Sequence, residues 1–245
     1  MATKLKVIDV SQFNGKIAWA TVKNHVDAAI IRAGYRGYGS AGTLVTDPSF
    51  KVNMDGAVKA GIPVGVYWCS QATSDVEAME EARYLTSLLK NYKLVYPVYL
   101  DSEHMGPNAS GRADKIGKAR RTQHGLTFCR AMRDSGYKVG LYCSESWFYD
   151  EIDGFAFDRE DFEIWIAKYS STKPKYSHEA WQYTDKGKVP GIPGSVDLNH
   201  FYVNYGLLDY RDAVQGRFGF SDSTMAYLEA YRYSDDLLKK LAAKP

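Results

Sequence analysis

The sequence predicts an α/β protein: an irregular TIM-like β/α barrel with eight strands, its last third lacking full crossover helices, followed by a short helical C-terminal tail. Three observations carry this expectation. Eight short apolar runs recur before residue 200, which is the strand number of a closed barrel. The first of them alternate with helical patterns, and strands separated by helices pair in parallel. The last three are joined by short loops, which makes the closing part of the barrel irregular.

The elements follow in order. Leu5–Val10 reads as the first strand and Trp19–Asn24 as a short helix. Ala28–Ala33 is the second strand. Asp47–Ala60 has apolar residues at helical spacing and stops at Gly61, a helix-ending residue. Val64–Trp68 is the third strand, Val76–Leu89 a long amphipathic helix, and Val95–Asp101 the fourth strand. A helix over Ala113–Asp134 ends at Ser135-Gly136. Val139–Cys143, Glu163–Tyr169, Ala180–Tyr183 and Val196–Asn199 supply strands five to eight. Beyond about Tyr205 come three short helical patterns, Leu208–Phe218, Thr224–Tyr231 and Asp235–Leu241, with Ser221 and Ser234 as N-caps. The division expected is therefore a barrel over 1–205 and a small helical segment over 206–245.

Composition narrows the function. Of 245 residues, 45% are hydrophobic and 24% charged, which excludes global disorder and a coiled coil. A net charge of +2 argues against a nucleic-acid binder. The most basic stretch, Arg112, Lys115, Lys118, Arg120 and Arg121, reads as a solvated helix face. The three cysteines, Cys69, Cys129 and Cys143, have no CxxC spacing and read as buried free thiols. No run approaches the roughly 20 apolar residues of a membrane helix, so membrane insertion is not expected. Met1–Leu5 lead straight into a strand without the apolar run of a signal peptide, so synthesis as a cytoplasmic chain is expected. Aromatics reach 14%, led by 19 tyrosines, which suits a groove for a polar ring-shaped ligand.

In such a barrel the site lies at the C-terminal ends of the strands. Asp9 ends the first strand, Asp101 ends the fourth with Glu103 two residues later, and Asp197 lies in the eighth. Residues i and i+2 of a strand point to one side, so Asp101 and Glu103 aim into one mouth. Carboxylates crowded there cannot all ionise freely, and at least one should hold a raised pKa. A carboxylic acid beside a carboxylate is the pair that glycoside hydrolysis needs. A divalent-metal site on the same oxygens is the alternative. Only His104 and His200 lie near these acids, which weakens a zinc reading, and no cofactor is indicated. Gly34–Gly42 looks like a phosphate loop but lacks the GK[ST] ending, and reads as a loop beside the pocket.

Short motifs along the chain add a resemblance. Ile8-Asp9-Val10-Ser11, Asp47-Pro48-Ser49-Phe50, Ala60-Gly61-Ile62-Pro63-Val64-Gly65-Val66-Tyr67, Leu100-Asp101-Ser102-Glu103, Trp165-Ile166-Ala167, Trp181-Gln182-Tyr183 and Val196-Asp197-Leu198-Asn199 stand in the order and spacing of glycoside hydrolase family 25. Over residues 5 to 203 the chain resembles these muramidases, which include phage and bacterial lysozymes. The resemblance implies cleavage of the β-1,4 bond between N-acetylmuramic acid and N-acetylglucosamine in bacterial peptidoglycan. It makes Glu103 the general acid and Asp101 the second carboxylate, acting by direct attack or by assisting the substrate's acetamido group. Asp9 and Asp197 become flanking acids, and Tyr67, Tyr142, Gln182 and Trp181 the sugar-binding positions. Where many members carry His-Trp after the first motif, this chain has Gln12-Phe13, and Arg32-Ala33-Gly34-Tyr35 replaces the common Ala-Thr-Glu-Gly. A phage endolysin that waits in the host cytoplasm is the expected setting, with a bacterial autolysin as the runner-up. A non-catalytic glycan-binding module on the same fold is the rival class. The tail is expected to dock to the wall or to form a homo-oligomer.

Overall fold

The computed structural model describes residues 4–105, 108, 110–231 and 234–242. The chain forms two compact units, Met1–Val203 and Asn204–Pro245.

The first unit begins with β1 (Leu5–Val10), a single 3-10 turn at Gln12–Asn14, and α1 (Trp19–Val22). There follow β2 (Ala28–Arg36), β3 (Leu44–Thr46), α2 (Phe50–Ala60), β4 (Val64–Cys69), α3 (Asp75–Leu89), β5 (Val98–Asp101) and α4 (Lys118–Asp134). The last third holds β6 (Val139–Ser144), α5 (Glu145–Asp150), α6 (Gly154–Asp158), β7 (Glu163–Ala167), β8 (Ala180–Gly187) and β9 (Val196–Phe201). The strands lie in the order β1-β9-β8-β7-β6-β5-β4-β2-β3, and an additional β1–β2 pairing closes eight of them into a barrel. β3 stays outside as an antiparallel addition to β2.

Alternation along each strand sorts the side chains. One set, including Ile8, Ile31, Val66, Trp68, Leu100, Leu141 and Ile166, packs with Met54, Leu85, Phe128 and Met132 of the helices in a continuous apolar core. The other set faces the barrel interior. Tyr99 meets Trp165 edge to face at 5.0 Å between ring centroids, and Trp165 lies 6.0 Å from Phe201. These rings fill the barrel below the polar residues of its mouth.

Several expectations are corrected. The fourth expected strand starts at Val98 because Pro97 has no N–H for the ladder. The helix expected from Ala113 starts at Lys118: residues 112–115 turn instead, with the Asp114 carboxylate accepting the Gly111 N–H at 2.8 Å and Gly117 at φ 79°. Gly34–Arg36, read as the start of a loop, continue β2 and pair with β3. Glycine is required at 34, where a Cβ would collide with the Val45 carbonyl oxygen and the Trp68 ring. The strand β9 runs antiparallel to both β8 and β1. The connection 188–195 is too short for a crossover, so the chain turns back as a hairpin. Residues 168–179 are long enough to return β8 parallel to β7 without a helix.

The second unit holds α7 (Tyr205–Phe218), α8 (Asp222–Glu229) and α9 (Ser234–Ala242). Ser221 caps α8 by accepting the Thr224 N–H at 3.2 Å, whereas Ser234 is the first residue of α9 itself. Val214, Met225 and Leu238 form a small buried centre, flanked by Tyr210, Phe220 and Leu228. No helix among the described residues is long and apolar enough to cross a membrane.

Candidate active site

Asp9 is the direct cross-strand partner of Asp197. Because β9 is antiparallel, Asp197, the second residue of that strand, reaches the same mouth as the C-terminal ends of the parallel strands. Asp101 is the last residue of β5 and faces the interior with Tyr142 of β6, its register partner. The Ser102 N–H donates to the Tyr142 carbonyl at 3.0 Å and carries the chain out so that Glu103 stands at the rim. Asp9 and Asp101 are buried, while Glu103 is open to solvent.

The Asp9 carboxylate is built into a network. Its Oδ2 accepts from Gln182 Nε2 at 3.0 Å and from Asn199 Nδ2 at 2.8 Å. Gln182 Oε1 in turn accepts the hydroxyls of Tyr142 at 2.8 Å and Tyr169 at 2.9 Å. Two phenol donors fix the amide so that its NH2 faces Asp9. Asn199 is fully buried, accepts from Trp165 Nε1 at 2.9 Å and also donates to the Val7 carbonyl at 3.2 Å.

Burial pushes the Asp9 carboxyl up, against the hydrogen bonds from Asn199, Gln182 and Asp197. Burial and the adjoining Asp9 charge push Asp197 up to about 8. Asp9 already accepts two amide N–H groups, so Asp197 holds the proton and donates it to Asp9. Glu103 is solvent-accessible yet walled by protein; that enclosure and the Asp9 charge raise it to about 7, with Arg32 opposing. Burial raises Asp101 well above the usual carboxylate range, the Glu103 charge next, with the Cys69 thiol and Arg32 opposing.

Arg32 is the cation of the site. Burial disfavours its charge, but Tyr67, Cys69 and Asp47 outweigh that and hold it protonated. Its Nε donates to Asp47 Oδ2 at 2.6 Å, and its guanidinium lies 4.9 Å from the centre of the exposed Phe13 ring. Asp47 also accepts the Gln12 and Ser49 N–H groups at 3.1 and 2.8 Å, tying the turn after β1 to the Arg32 side chain.

The structure thus gathers Asp9, Asp101, Glu103, Asp197, Tyr67, Tyr142 and Gln182 at one mouth. Trp181 is not brought there. It is buried on the opposite face of β8 from Gln182, donates its indole N–H to the Lys168 carbonyl at 2.8 Å, and meets the His200 ring 5.6 Å away. Adjacent residues of a strand face opposite sides, so Trp181 and Gln182 cannot share the interior. Gln182 is itself buried, with both ends of its amide engaged. Sequence reasoning misses Asn199, Tyr169, Cys69, Asp47 and Arg32. Arg32 leaves one signal, a cation at an inward position of the apolar run Ala28–Ala33.

Carboxyls crowded into one barrel mouth, their proton affinities raised by burial and by one another, suit acid-assisted cleavage of a glycosidic bond, and they define the class of the barrel glycoside hydrolases. Within that class the chain belongs to glycosyl hydrolases family 25, whose family model matches residues 8–192. It is 26% identical to the autolytic lysozyme of Clostridium acetobutylicum over 201 residues, covering 80% of this chain and 56% of that protein. Lysozyme M1 of Streptomyces globisporus is 27% identical over 206 residues, covering 79% of this chain and 66% of that protein. Among solved structures, the modular autolysin LytC from Streptococcus pneumoniae in complex with a synthetic peptidoglycan ligand superposes with a TM-score of 0.70 at 26% identity, covering 81% of this chain and 47% of that one. The chain therefore spans about half the length of the first of these relatives and of LytC.

Proposed function

We propose that the protein is an N-acetylmuramidase, a lysozyme that cleaves the β-1,4 bond between N-acetylmuramic acid and N-acetylglucosamine in bacterial peptidoglycan. The observation that carries this reading is the placement of Glu103: open to the mouth, raised to about 7, and next to the buried Asp101 carboxyl. Glu103 donates its proton to the glycosidic oxygen as the C–O bond breaks, and the leaving sugar departs as an alcohol. Asp101 stabilises the positive charge developing at the sugar carbon, by attack or through the substrate's acetamido group. Water then adds at that carbon, and Glu103 takes its proton back. Asp9 and Asp197 share a proton beside the pair, and the Asp9 charge helps keep Glu103 protonated. Tyr67 and Tyr142 line the sugar position. A family relative named as an autolytic lysozyme and a structural relative that holds a peptidoglycan ligand support the substrate. A glycan-binding module would need the aromatic rings but not two carboxyls with raised proton affinity.

Two settings share this chemistry, phage release as an endolysin and remodelling of a bacterium's own wall as an autolysin. For the second unit we propose docking to the wall or self-association, supported by Tyr227 and Tyr231, which are 80% and 53% exposed on it.

The test is mass spectrometry of fragments from purified peptidoglycan, with wild type beside Glu103→Gln. Wild type should release fragments with N-acetylmuramic acid at the reducing end, and Glu103→Gln should release essentially none while keeping its unfolding midpoint. Equal release by the variant refutes the assignment of Glu103. Binding without release by wild type favours the glycan-binding module.

A further inference from the structure

The mechanism above leaves one contact of the site unused. Cys69, the last residue of β4, is the register partner of Asp101, the last residue of β5. Its Sγ donates to Asp101 Oδ2 at 2.9 Å. Both residues are buried, Cys69 at 4% and Asp101 at 2% exposure. The other carboxyl oxygen, Oδ1, is buried and has no hydrogen-bond partner. The thiol is therefore the only hydrogen-bond donor to this carboxyl among the described residues. Burial, and next the Asp101 charge, raise the thiol well above its ordinary range, so the sulfur keeps its proton and remains a donor. Cys129 and Cys143 have no such role and sit in the apolar core outside the barrel.

We propose that Cys69 is a positioning residue for Asp101: its thiol holds Oδ2 and fixes the carboxyl rotamer. The chemistry suits the task. A carboxylate that must attack, or must assist an acetamido group, needs a fixed direction and basic lone pairs. A hydroxyl or amide donor would fix the direction but draw more strongly on the basicity. A thiol is a weak donor, so it restrains the rotamer and leaves the oxygens basic. This inference rests on the reading of Asp101 as the second carboxylate of the reaction.

The test compares Cys69→Ser, Cys69→Ala and Cys69→Val with wild type. Serine keeps a donor, alanine removes it, and valine removes it while filling the space. Release of reducing ends from peptidoglycan is followed across pH. Alanine and valine should each lower kcat by roughly three- to tenfold, equivalent to about 0.7–1.4 kcal/mol, with KM within about twofold. Their acid-side limb should move to higher pH, because an Asp101 carboxylate without its donor takes a proton more readily. Serine should retain most of the activity. Unchanged kcat and pH limb in both alanine and valine overturn the proposal. So does recovery in valine of what alanine loses, because that is a packing effect. A second readout does not depend on turnover. The Cys69 S–H stretch, isolated as the infrared difference between wild type and Cys69→Ala, should shift in Asp101→Asn. If wild type releases no reducing ends, the enzymatic reading fails, and an unshifted S–H band would then overturn the contact as well.

Discussion

Replacing Asn199 with leucine keeps the branching of a fully buried side chain and removes every hydrogen bond it makes. Asp9 Oδ2 then loses a 2.8 Å donor and keeps the Gln182 amide, while the Trp165 indole N–H, 2.9 Å from its acceptor, is stranded in the barrel interior. A hydrogen bond to a charged group is worth about 1.5–3 kcal/mol, and an orphaned buried donor costs about 1–3 kcal/mol. The expected loss is about 3–5 kcal/mol, or about 10 °C in Tm at the 2–4 °C per kcal/mol typical of a domain this size. The loss should depend on pH. The Asn199 bond favours the charged form of Asp9, so the substitution raises the Asp9 pKa further. Once Asp9 is protonated in both proteins, the charge-assisted part of the penalty disappears. Thermal unfolding followed by circular dichroism should therefore show a gap between wild type and variant that is largest at neutral pH and narrows as pH falls. A loss under about 1 kcal/mol, or a gap independent of pH, refutes the network.

Asp197 supplies a second pH signature. Its folded pKa, about 8, lies above its unfolded value, so its contribution to stability is present at low pH and is lost as pH rises through about 8. Asp197→Asn should flatten the fall in Tm between pH 5 and pH 9 relative to wild type, and an unaltered slope would show that the proton is not held there. For the second unit, deletion of residues 206–245 should reduce pelleting with purified walls or lower the solution mass per particle. No change in either measurement removes both proposed roles.

The barrel is legible in the sequence because its outward faces are apolar and its strands end at chemically marked residues. Ile8, Ile31, Val66, Leu100 and Ile166 alternate with inward positions, and the acids stand where those inward positions meet the mouth. The strand β3 is not legible, because three half-buried residues carry no periodicity. The helices α5 and α6 span only six and five residues, too few for a helical repeat to show. The antiparallel β9 is hidden for another reason: a strand read as ending at Tyr183 leaves twelve residues before Val196, enough for a crossover, whereas β8 runs on to Gly187 and leaves room only for a hairpin. In the site, carboxylates announce themselves by type, whereas Asn199, Cys69 and Tyr169 are ordinary residues made functional by partners distant in sequence. The placement of Trp181 is the instructive exception, since strict alternation from Gln182 already directs it away from the mouth.

The hairpin that brings β9 to β1 has a consequence for the timing of competence. The Asn199–Asp9 contact joins residues 190 positions apart. Contacts of that separation form late, because the loop-closure entropy must be met before they contribute. A ribosome-bound chain has Asp9, Asp101 and Glu103 long before Asp197 and Asn199 emerge, so it carries the chemistry without the electrostatic frame that tunes it. If the chain acts as proposed, catalytic competence should arrive with barrel closure. On the proposed reading, a chain truncated before residue 196 should release no reducing ends from peptidoglycan, and turnover by such a chain would refute the link to barrel closure.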